Sequence, residues 1–562
     1  MSKSKYSPLV LMGLIVAILT VIVGCSSTNN GNGEQPPVSP NDSQTESNLN
    51  PVGTFPIVKE KVTLKVLIPQ GPEVIDYSTN EFTKWLEELT NVHLDFQTYP
   101  VSQPEQLNII FASGDFPDLF IRTGLSDVNE QKYGVEQKLI LPLQNYIEEQ
   151  TVHLKKLLQD TPELKGVITA TDGNIYGLPS LNECYHCMYG NKLWINQSWL
   201  DKLELSTPTT TDEFLEVMRA FKEMDPNGNG KPDEIPMAGA AIGWHTAADS
   251  FLMNAFELDN SLDGLKMVVR DGKVQSNAVT DGTREGLKFL NQLFEEGLLY
   301  NASFTQSSDQ LKQLANSHEE VLGAFAAGAN VNVIDGTANP ERYRHYTTLA
   351  PLKGPDGTQY TTYFNSFPYG GGSFVISSRT EHPEVAIRLA DVFFNPERVY
   401  GEGTQWRKAE EGEVGITGLP AKIKILKPYS SEPQNETWLD IGEPLITNES
   451  LLTNATDPDI DPYSPEGLGK LLMLETENKY EPYTPTDVSL LPPLKFLSDE
   501  LDQVSTLRVE LDNYIRESRA KFIMGNMNLE SDWDAYLAAM DRIGLPKIVE
   551  LMQTAYDRQY GN

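Results

Sequence analysis

The stretch with the most obvious chemistry is a loop, DPNGNGKPDEIP, at positions 225–236. Oxygen-bearing side chains stand at alternate positions around Gly230, which can make the sharp turn that such a loop requires. This spacing directs the oxygens to one side of the loop, as a calcium ion needs. The predicted calcium ligands are Asp225, Asn227, Asn229, the backbone carbonyl of Lys231, Asp233 and Glu234.

The loop departs from an EF-hand at its last position, which is Pro236 rather than a bidentate Glu. Pro232 and Pro236 also prevent a helix from following directly, so the pattern predicts an ion-binding loop without the second EF-hand helix. A closed shell of protein oxygens leaves no open position for a reactant, and the predicted calcium ion is therefore structural. The alternative is a polar turn that holds no ion.

Two cysteines, Cys184 and Cys187, stand in the stretch NECYHCMYG. Such a pair can be a redox centre, half of a zinc site or a local disulfide. A structural zinc ion needs two further ligands and only His186 is near. The tyrosines and the methionine around the pair predict a strand rather than the helix start of a thioredoxin motif. We therefore expect two thiols or a local bridge, without a catalytic role.

The N terminus has the pattern of an exported protein. Lys3 and Lys5 precede the apolar run PLVLMGLIVAILTVIVG, which ends with Gly24 directly before Cys25. This pattern resembles a bacterial lipobox, in which residues 1–24 are a signal peptide and Cys25 is lipidated. The alternative is an uncleaved anchor helix. Both interpretations place the rest of the chain on the extracellular face of the cytoplasmic membrane.

Composition separates a tether from a folded body. Residues 26–55 contain almost no large apolar side chains, which predicts a flexible tether between Cys25 and a body that begins near Pro56. The body is roughly 500 residues long, enough for two or three domains. A net charge of −35 argues against nucleic acid, which needs a basic footprint.

Hydrophobic periodicity predicts an α/β fold. A strand at 61–69, a helix at 78–92 and a strand at 93–100 are followed by another helix and strand. This β-α-β-α-β order implies mainly parallel sheets flanked by helices. Thr210 and Glu213 form a predicted capping box at the start of the helix before the acidic loop.

A series of stretches along the body together carries a family signature: ASGDFPDLF (112–120), DGNIYGLPS (172–180), 193–236, REGLKFLNQLFEEGLL (284–299), GGGSFVIS (371–378), HPEVAIRLADVFF (382–394) and QTAYDR (553–558). These stretches resemble one protein family, the extracellular solute-binding proteins of carbohydrate ABC importers. The similarity extends to the large, calcium-containing branch with alginate- and fructo-oligosaccharide-binding proteins and the LipO lipoproteins. In that branch, a Glu equivalent to Glu234 takes the place of the missing last EF-hand ligand.

The resemblance implies a two-lobe periplasmic-binding-protein-like fold that closes over a ligand in the cleft between the lobes. The first lobe would begin with 56–185, the second would include 186–368 with the calcium loop, and 369–562 would return to the first lobe and add helices shared by both. The implied partners are an oligosaccharide, two permease subunits and, through them, an ATPase. The chain itself is expected to be a monomer and to touch the membrane only through its lipid.

Sugar clefts combine aromatic platforms with planar polar groups. The resemblance implies that the chain crosses between the lobes near residues 183–190 and 366–373, and candidates come from these crossings and from neighbouring loops. For each aromatic residue the alternative is ordinary core packing. Few basic residues mark these segments, which favours a neutral ligand. The predicted ligand-binding residues are Glu183, Tyr185, Trp244, Asn330, Tyr369 and Trp406.

No sequence motif marks a reaction centre, and we expect a binding protein rather than an enzyme. The rival interpretations are a surface-anchored glycoside hydrolase, which would use two carboxylates across a cleft, and a polysaccharide-binding lipoprotein.

Overall fold

The computed structural model describes residues 47–71, 74–100, 103, 105–366, 368–395, 406–426, 433–438, 445–446 and 454–561. The predicted signal peptide, residues 1–24, and the predicted lipidation site, Cys25, lie outside the described residues. Among the residues that the structure describes, no helix is long and apolar enough to cross a membrane.

The first sheet starts with the β-α-β-α-β order that the periodicity predicts. Strand β1 (Val62–Gln70) runs parallel to β2 (Val92–Pro100) and to β3 (Leu119–Ile121). Helices α1 (Glu81–Thr90) and α2 (Glu105–Ser113) make the two connections. Residues 62–66 of β1 alternate between buried and exposed, whereas Val66, Leu67 and Ile68 are all buried, so the middle of the strand is covered on both faces.

Three later strands complete the first sheet: β4 (Gly177–Asn182), β11 (Tyr369–Ile376) and β14 (Leu445–Ile446). The order across the sheet is β14-β4-β11-β3-β1-β2, and β11 runs antiparallel to both of its neighbours. The sheet is therefore mixed rather than mainly parallel. The physical reason is that β11 enters from the second sheet and not through a helical crossover over the first one.

The second sheet has the order β10-β5-β9-β6, and only the pair β6–β9 is parallel in it. A third sheet has the order β15-β7-β8, and β12 pairs with β13 as a separate antiparallel ribbon. The bounds of these strands are β5 Leu193–Asn196, β6 Ile235–Ala238, β7 Met267–Arg270, β8 Lys273–Ser276, β9 Leu322–Ala326, β10 Tyr346–Thr348, β12 Trp406–Lys408, β13 Ile423–Ile425 and β15 Val488–Leu490.

Helices cover both main sheets. Helix α8 (Thr211–Glu223) begins at the predicted capping box, and the long helix α15 (Ser498–Ile523) is followed by Gly525 in the left-handed region at φ 74°. The remaining bounds are α3 Asp127–Asn129, continued by a π-helix Glu130–Glu136, α4 Gln144–Gln150, α5 His153–Asp160, α6 Pro162–Ile168, α7 Gln197–Lys202, α8 Thr211–Glu223, α9 Ala248–Met253, α10 Asp281–Glu295, α11 Ser308–Ala315, α12 Pro340–Arg344, α13 Pro383–Val392, α14 Leu468–Lys479, α15 Ser498–Ile523, α16 Trp533–Ile543 and α17 Leu545–Tyr560.

Each main sheet has its own hydrophobic core. Around the first sheet, Leu64 and Val66 of β1 pack with Phe374 of β11 and with helix α13. Around the second sheet, Leu193 of β5 belongs to a core that also contains side chains of α15, α16 and α17. The C-terminal helices therefore pack on the second-sheet core, although β11 and β14 belong to the first sheet. We refer below to the first-sheet and second-sheet regions.

Residues 48–55, which the composition assigned to the tether, are bonded to the body. The Asn48 side chain donates to the Glu60 carbonyl at 3.0 Å and accepts from the Glu60 N–H at 2.7 Å. The Asn50 N–H donates to the Ile57 carbonyl at 3.0 Å, and Arg388 Nη1 donates to the Asn50 carbonyl at 2.6 Å. A polar segment can be ordered in this way because hydrogen bonds of its backbone and of the Asn48 side chain, together with packing of Leu49 on the core, make the contacts.

Candidate functional site

The chain first crosses between the two main sheets through a turn at residues 183–190, which we call the crossing turn. Cys184 and Cys187 form a disulfide in it, with their Cα atoms 5.2 Å apart. The Cys187 N–H donates to the Cys184 carbonyl at 3.0 Å, and the Tyr189 N–H to the His186 carbonyl at 3.3 Å. The prediction that the pair lies within a strand is therefore wrong, because residues three apart in a strand are about 10 Å apart.

A buried lysine is hydrogen-bonded to the backbone of the crossing turn. Lys192 is fully buried, and its Nζ donates to the carbonyls of His186, at 3.0 Å, and of Tyr189. The same ammonium lies 5.1 Å from the centre of the Tyr480 ring. Burial lowers the pKa of Lys192 to about 7, and the Glu475 charge opposes that shift. The charge is therefore placed to orient backbone carbonyls of the turn rather than to meet solvent.

Tyr185 and Trp244, both predicted to bind ligand, lie near His186: Tyr185 precedes it in the chain, and Trp244 lies close to its ring. The Tyr185 hydroxyl donates to Glu481 Oε2 at 2.7 Å, and burial together with that carboxylate raises the pKa of Tyr185. The half-buried Trp244 ring lies 6.3 Å from the His186 ring. A Cβ on Gly328 would lie 2.3 Å from the Trp244 ring, so only glycine fits beneath it. These two aromatic side chains are therefore held in place by specific contacts.

Tyr369 and Glu183 form the first-sheet side of the site. Tyr369 is the first residue of β11 and pairs with Leu181 of β4. Burial raises the pKa of Tyr369, and the charges of Glu163 and Glu183 raise it further. Tyr369 lines a cavity of about 640 Å³ between the first-sheet region and the C-terminal segment. Other residues that line this cavity are Glu163, Thr171, Pro493, Lys495 and Arg558.

The two cations of this cavity are engaged by carboxylates. Lys495 Nζ lies 2.8 Å from Asp127 Oδ1 and 3.0 Å from Glu130 Oε1. Arg558 Nη2 lies 2.7 Å from Glu500 Oε2. Neither cation is therefore available as an unopposed charge for an anionic ligand.

The structure buries one of the predicted ligand-binding residues, and the side chain of another lies outside the described residues. Asn330 is fully buried, and its Oδ1 accepts from the Tyr343 hydroxyl at 2.9 Å, so it has no surface to offer a ligand. The structure therefore places Asn330 in the core rather than in the cleft. Asn330 begins a short 3₁₀ turn two residues after Gly328. The backbone of Trp406 lies in β12, and its side chain lies outside the described residues.

Sequence reasoning missed several side chains of the site. His186 lies against the disulfide, Glu481 accepts from Tyr185, and the Tyr363 ring is 5.0 Å from the Tyr189 ring. His186 stood inside the quoted cysteine stretch, and its position between the cysteines was the signal for it. Glu481 and Tyr363 had no local signal, because their roles depend on contacts far away in the sequence.

The loop at residues 225–234, which we call the acidic loop, follows helix α8. Thr210 and Glu213 make the predicted capping box of that helix. The Asp225 carboxylate accepts from the N–H groups of Asn229, at 3.1 Å, and Gly230, at 3.0 Å. The Asn227 and Asn229 side-chain amides donate to Asp233 at 3.0–3.1 Å. The loop therefore curls around its own carboxylates, and Gly228 and Gly230 make this possible at φ 74° and 73°.

The electrostatics of the acidic loop fit a cation. Glu234 Oε1 is buried and has no hydrogen-bond partner among the described residues. Burial raises the pKa of Glu234, and the charges of Asp225 and Asp233 raise it further. Hydrogen bonds from Asn227 and Asn229 lower the pKa of Asp233, so that carboxylate stays ionised. Ionised oxygens of this kind are the ligands that calcium prefers.

The fold and the crossing between two sheets define a two-lobe α/β solute-binding protein. Residues 71–399 match the family described as "Bacterial extracellular solute-binding protein", and the chain belongs to that family. The family resemblance read from the sequence is thereby confirmed.

Two relatives match over most of their length. The chain is 29% identical to the fructooligosaccharide ABC transporter substrate-binding protein FusA of Streptococcus pneumoniae over 98% of both chains. It is 27% identical to the lipoprotein LipO of Bacillus subtilis, over 84% of this chain and 88% of LipO.

Solved structures agree with these matches. FusA in complex with kestose has a TM-score of 0.69 at 29% identity and covers 88% of this chain and 99% of its own. An EF-hand mutant of FusA in complex with fructo-nystose has a TM-score of 0.69 at 28% identity, with 88% and 99% covered. The alginate-binding protein AlgQ2, solved without calcium ion, shares the fold at 20% identity, with a TM-score of 0.61 and with 90% of this chain and 100% of its own covered.

Proposed function

We propose that this chain is the lipid-anchored substrate-binding component of an ABC importer and that it captures a neutral oligosaccharide between its two lobes. The observation that carries the proposal is the junction itself, where aromatic side chains stand beside carboxylates at a crossing between two sheets. Tyr185, Trp244 and Tyr369 offer ring faces to sugars, and Glu183 and Glu481 offer acceptors to hydroxyl groups.

The charges of the site favour a neutral ligand over a uronate. The charges of Glu163 and Glu183 raise the pKa of Tyr369, and Glu481 accepts a hydrogen bond from Tyr185. Lys192 is buried under the crossing turn, and Lys495 and Arg558 are paired with carboxylates. A uronate would bring negative charge to these carboxylates, and the three named cations are already engaged, which makes uronate binding unfavourable.

In this proposal the chain binds its ligand and does not cleave it. The ligand binds the closed arrangement of the two lobes better than the open one, and so it shifts the population towards closure. Two permease subunits then bind the surface of the closed form, and they couple to a cytoplasmic ATPase. The protein acts as a monomer on the extracellular face of the membrane and is held there by lipid on Cys25.

We further propose that the acidic loop holds one structural calcium ion in the second-sheet region. Asp225, Asn227, Asn229, the Lys231 carbonyl, Asp233 and Glu234 would supply its oxygens, as the sequence predicts. The support from the structure is the unpartnered, buried Glu234 Oε1 beside two further carboxylates. A bound ion would neutralise three carboxylates that otherwise repel one another.

A thermal-shift and calorimetry screen tests the ligand class. We expect kestose or nystose at a hundredfold excess over Kd to raise Tm by roughly 3 °C, because binding adds about 2.7 kcal/mol to the stability of a body of about 500 residues. Trigalacturonate, a uronate of the same length as kestose, is expected to leave Tm unchanged. Tight binding of trigalacturonate would contradict the neutral class, and release of nitrophenol from chromogenic glycosides would favour the hydrolase alternative.

The anchor is tested by Cys25→Ala. Thioether attachment requires this thiol, so we expect the variant to incorporate no labelled fatty acid and to be either released from cells or retained uncleaved. Oligosaccharide binding by the purified variant is expected to equal that of the wild type, which serves as the control for folding. Wild-type lipid labelling of the variant would remove the lipoprotein assignment.

A further inference from the structure

The crossing turn contains chemistry that oligosaccharide binding does not use. The His186 imidazole contacts both sulfurs of the disulfide: its Nδ1 lies 3.5 Å from Cys184 Sγ and 3.4 Å from Cys187 Sγ. Both cysteines are half-buried, so the disulfide is neither sealed in the core nor fully exposed. An accessible disulfide with an imidazole against its sulfurs has the surroundings of a reactive bond rather than of an inert staple.

The electrostatic surroundings favour the thiolate that forms when a disulfide opens. Burial lowers the pKa of His186 to about 3, so its imidazole stays neutral, and an N–H on its Nδ1 can donate to the sulfur that becomes a thiolate. The Lys192 charge also acts on His186, which shows that its field reaches the ring that touches both sulfurs. A nearby cation stabilises a thiolate as a leaving group and so promotes exchange.

The same turn carries the candidate ligand-binding side chains. Tyr185 lies between the two cysteines and is hydrogen-bonded to Glu481, and Glu183 directly precedes Cys184. The Tyr189 hydroxyl lies 3.2 Å from Thr484 Oγ1. Four residues are thus closed into a small ring by the disulfide, and opening it would give Tyr185 the freedom that the ring removes.

We propose that Cys184–Cys187 is a reversible thiol-exchange site for dithiols, and that its opening weakens oligosaccharide binding because it releases the turn that carries Glu183 and Tyr185. The second half of this statement rests on the proposed function. In the reaction, a thiolate of an external dithiol attacks one sulfur, the S–S bond breaks and the other cysteine leaves as a thiolate. The second thiol of the reagent then resolves the mixed disulfide. The dithiol is oxidised by two electrons to a disulfide, and two protons end on Cys184 and Cys187.

The first experiment needs no sugar. The purified full chain is treated under native conditions with about 5 mM dithiothreitol, quenched by alkylation and mapped by mass spectrometry. We expect both Cys184 and Cys187 to be alkylated within minutes, and His186→Phe to slow their reduction at least about fivefold. His318→Phe, at an imidazole that is 97% exposed, is the control and should react as the wild type. Reduction only in denaturant, or an unchanged rate in His186→Phe, would overturn the exchange site.

The second experiment measures the coupling with kestose. Reduction is expected to weaken kestose binding at least about threefold, and by linkage saturating kestose should shift the thiol–disulfide equilibrium in glutathione buffers towards the disulfide by the same factor. The double variant Cys184→Ser/Cys187→Ser should bind kestose weakly with or without dithiothreitol, which controls for effects of the reagent. Equal kestose affinity of the oxidised and reduced protein would overturn the coupling.

The two experiments also separate this inference from the proposed function. If no oligosaccharide binds the oxidised protein, the proposed function fails and the coupling fails with it. The native reduction rate and its dependence on His186 would still decide the exchange site by themselves.

Discussion

The acidic loop and the crossing turn are of similar length, and both are polar, but they are specified in different ways. In the acidic loop, the hydrogen bonds among Asp225, Asn227, Asn229 and Asp233 span at most six residues of sequence. In the crossing turn, Tyr185 depends on Glu481, which is 296 residues away. The hydrogen bonds around the carboxylates of the acidic loop are thus local in sequence, whereas the crossing turn is held by contacts with distant parts of the chain.

This difference predicts a division of labour. A local loop can gain or lose an ion and change the stability of its own region without moving the distant groups that meet a ligand. A turn held by distant contacts cannot be changed without moving the ligand site. Substitutions in the loop should therefore alter stability more than affinity, and substitutions in the turn should do the reverse.

Removal of the calcium ion that we propose for the acidic loop should have the largest effect on stability. Chelation, or Asp225→Ala, is expected to lower the free energy of unfolding by about 2–3 kcal/mol, because binding to the folded state alone is lost. Calcium should restore the chelated wild type in a thermal melt, and magnesium should do so poorly because of its stricter octahedral geometry. Kestose affinity should change less than about threefold where the region stays folded.

Two outcomes would break the comparison. An unchanged Tm in both the chelated protein and Asp225→Ala would make the acidic loop a polar turn without an ion. Loss of kestose binding while the fold survives would place the ion in the ligand site.

The buried Lys192 gives the next largest effect, and it appears as a pH dependence. Its pKa of about 7 in the folded protein lies below the ordinary value of 10.5, so between these values the unfolded chain binds the additional proton. The free energy of unfolding therefore gains up to about 1.4 kcal/mol per pH unit from this residue as pH rises from 7. Urea unfolding at pH 7 and 9 should show that Lys192→Met lacks this contribution. An identical pH slope in the variant would contradict the assignment.

The smallest effect on stability is expected at Tyr185. Tyr185→Phe removes only the hydroxyl that donates to Glu481, which should cost about 1 kcal/mol or less in unfolding. Kestose affinity should fall about fivefold or more, because the ring loses its orientation. Tyr463→Phe is the matched control: its hydroxyl also donates a hydrogen bond, to the Tyr346 carbonyl at 3.3 Å, but it lies outside the site. Equal affinities of the two variants would remove Tyr185 from the site.

Much of the fold could be read from local patterns. The strand and helix order at the start follows from periodicity, and the capping box at Thr210 and Glu213 follows from two residues three apart. The acidic loop is as local as these elements, so its curled backbone and converging carboxylates agree with the prediction. The calcium ligand set itself stays a prediction.

The rest could not be read because it depends on tertiary contacts. The direction of β11 is set by where the chain returns from, not by its own residues. Asn330 carries a polar side chain and was predicted to face a ligand, but it lies in the core, where its Oδ1 accepts from the Tyr343 hydroxyl and its Nδ2 has no hydrogen-bond partner among the described residues. The cysteine pair looked like part of a strand because its neighbours are tyrosine and methionine, whereas Lys192 and the disulfide bend it into a turn.

The contacts of residues 48–55 have a mechanical consequence. A pulling force that arrives along the chain from its N-terminal side reaches Asn48 and Asn50 first. These residues are hydrogen-bonded to Glu60 and Arg388. Both hydrogen-bonded contacts belong to the first-sheet region, so the force would be taken up there before it reaches the crossing turn or the acidic loop. The first-sheet region would therefore carry such a force, and the second-sheet region would not.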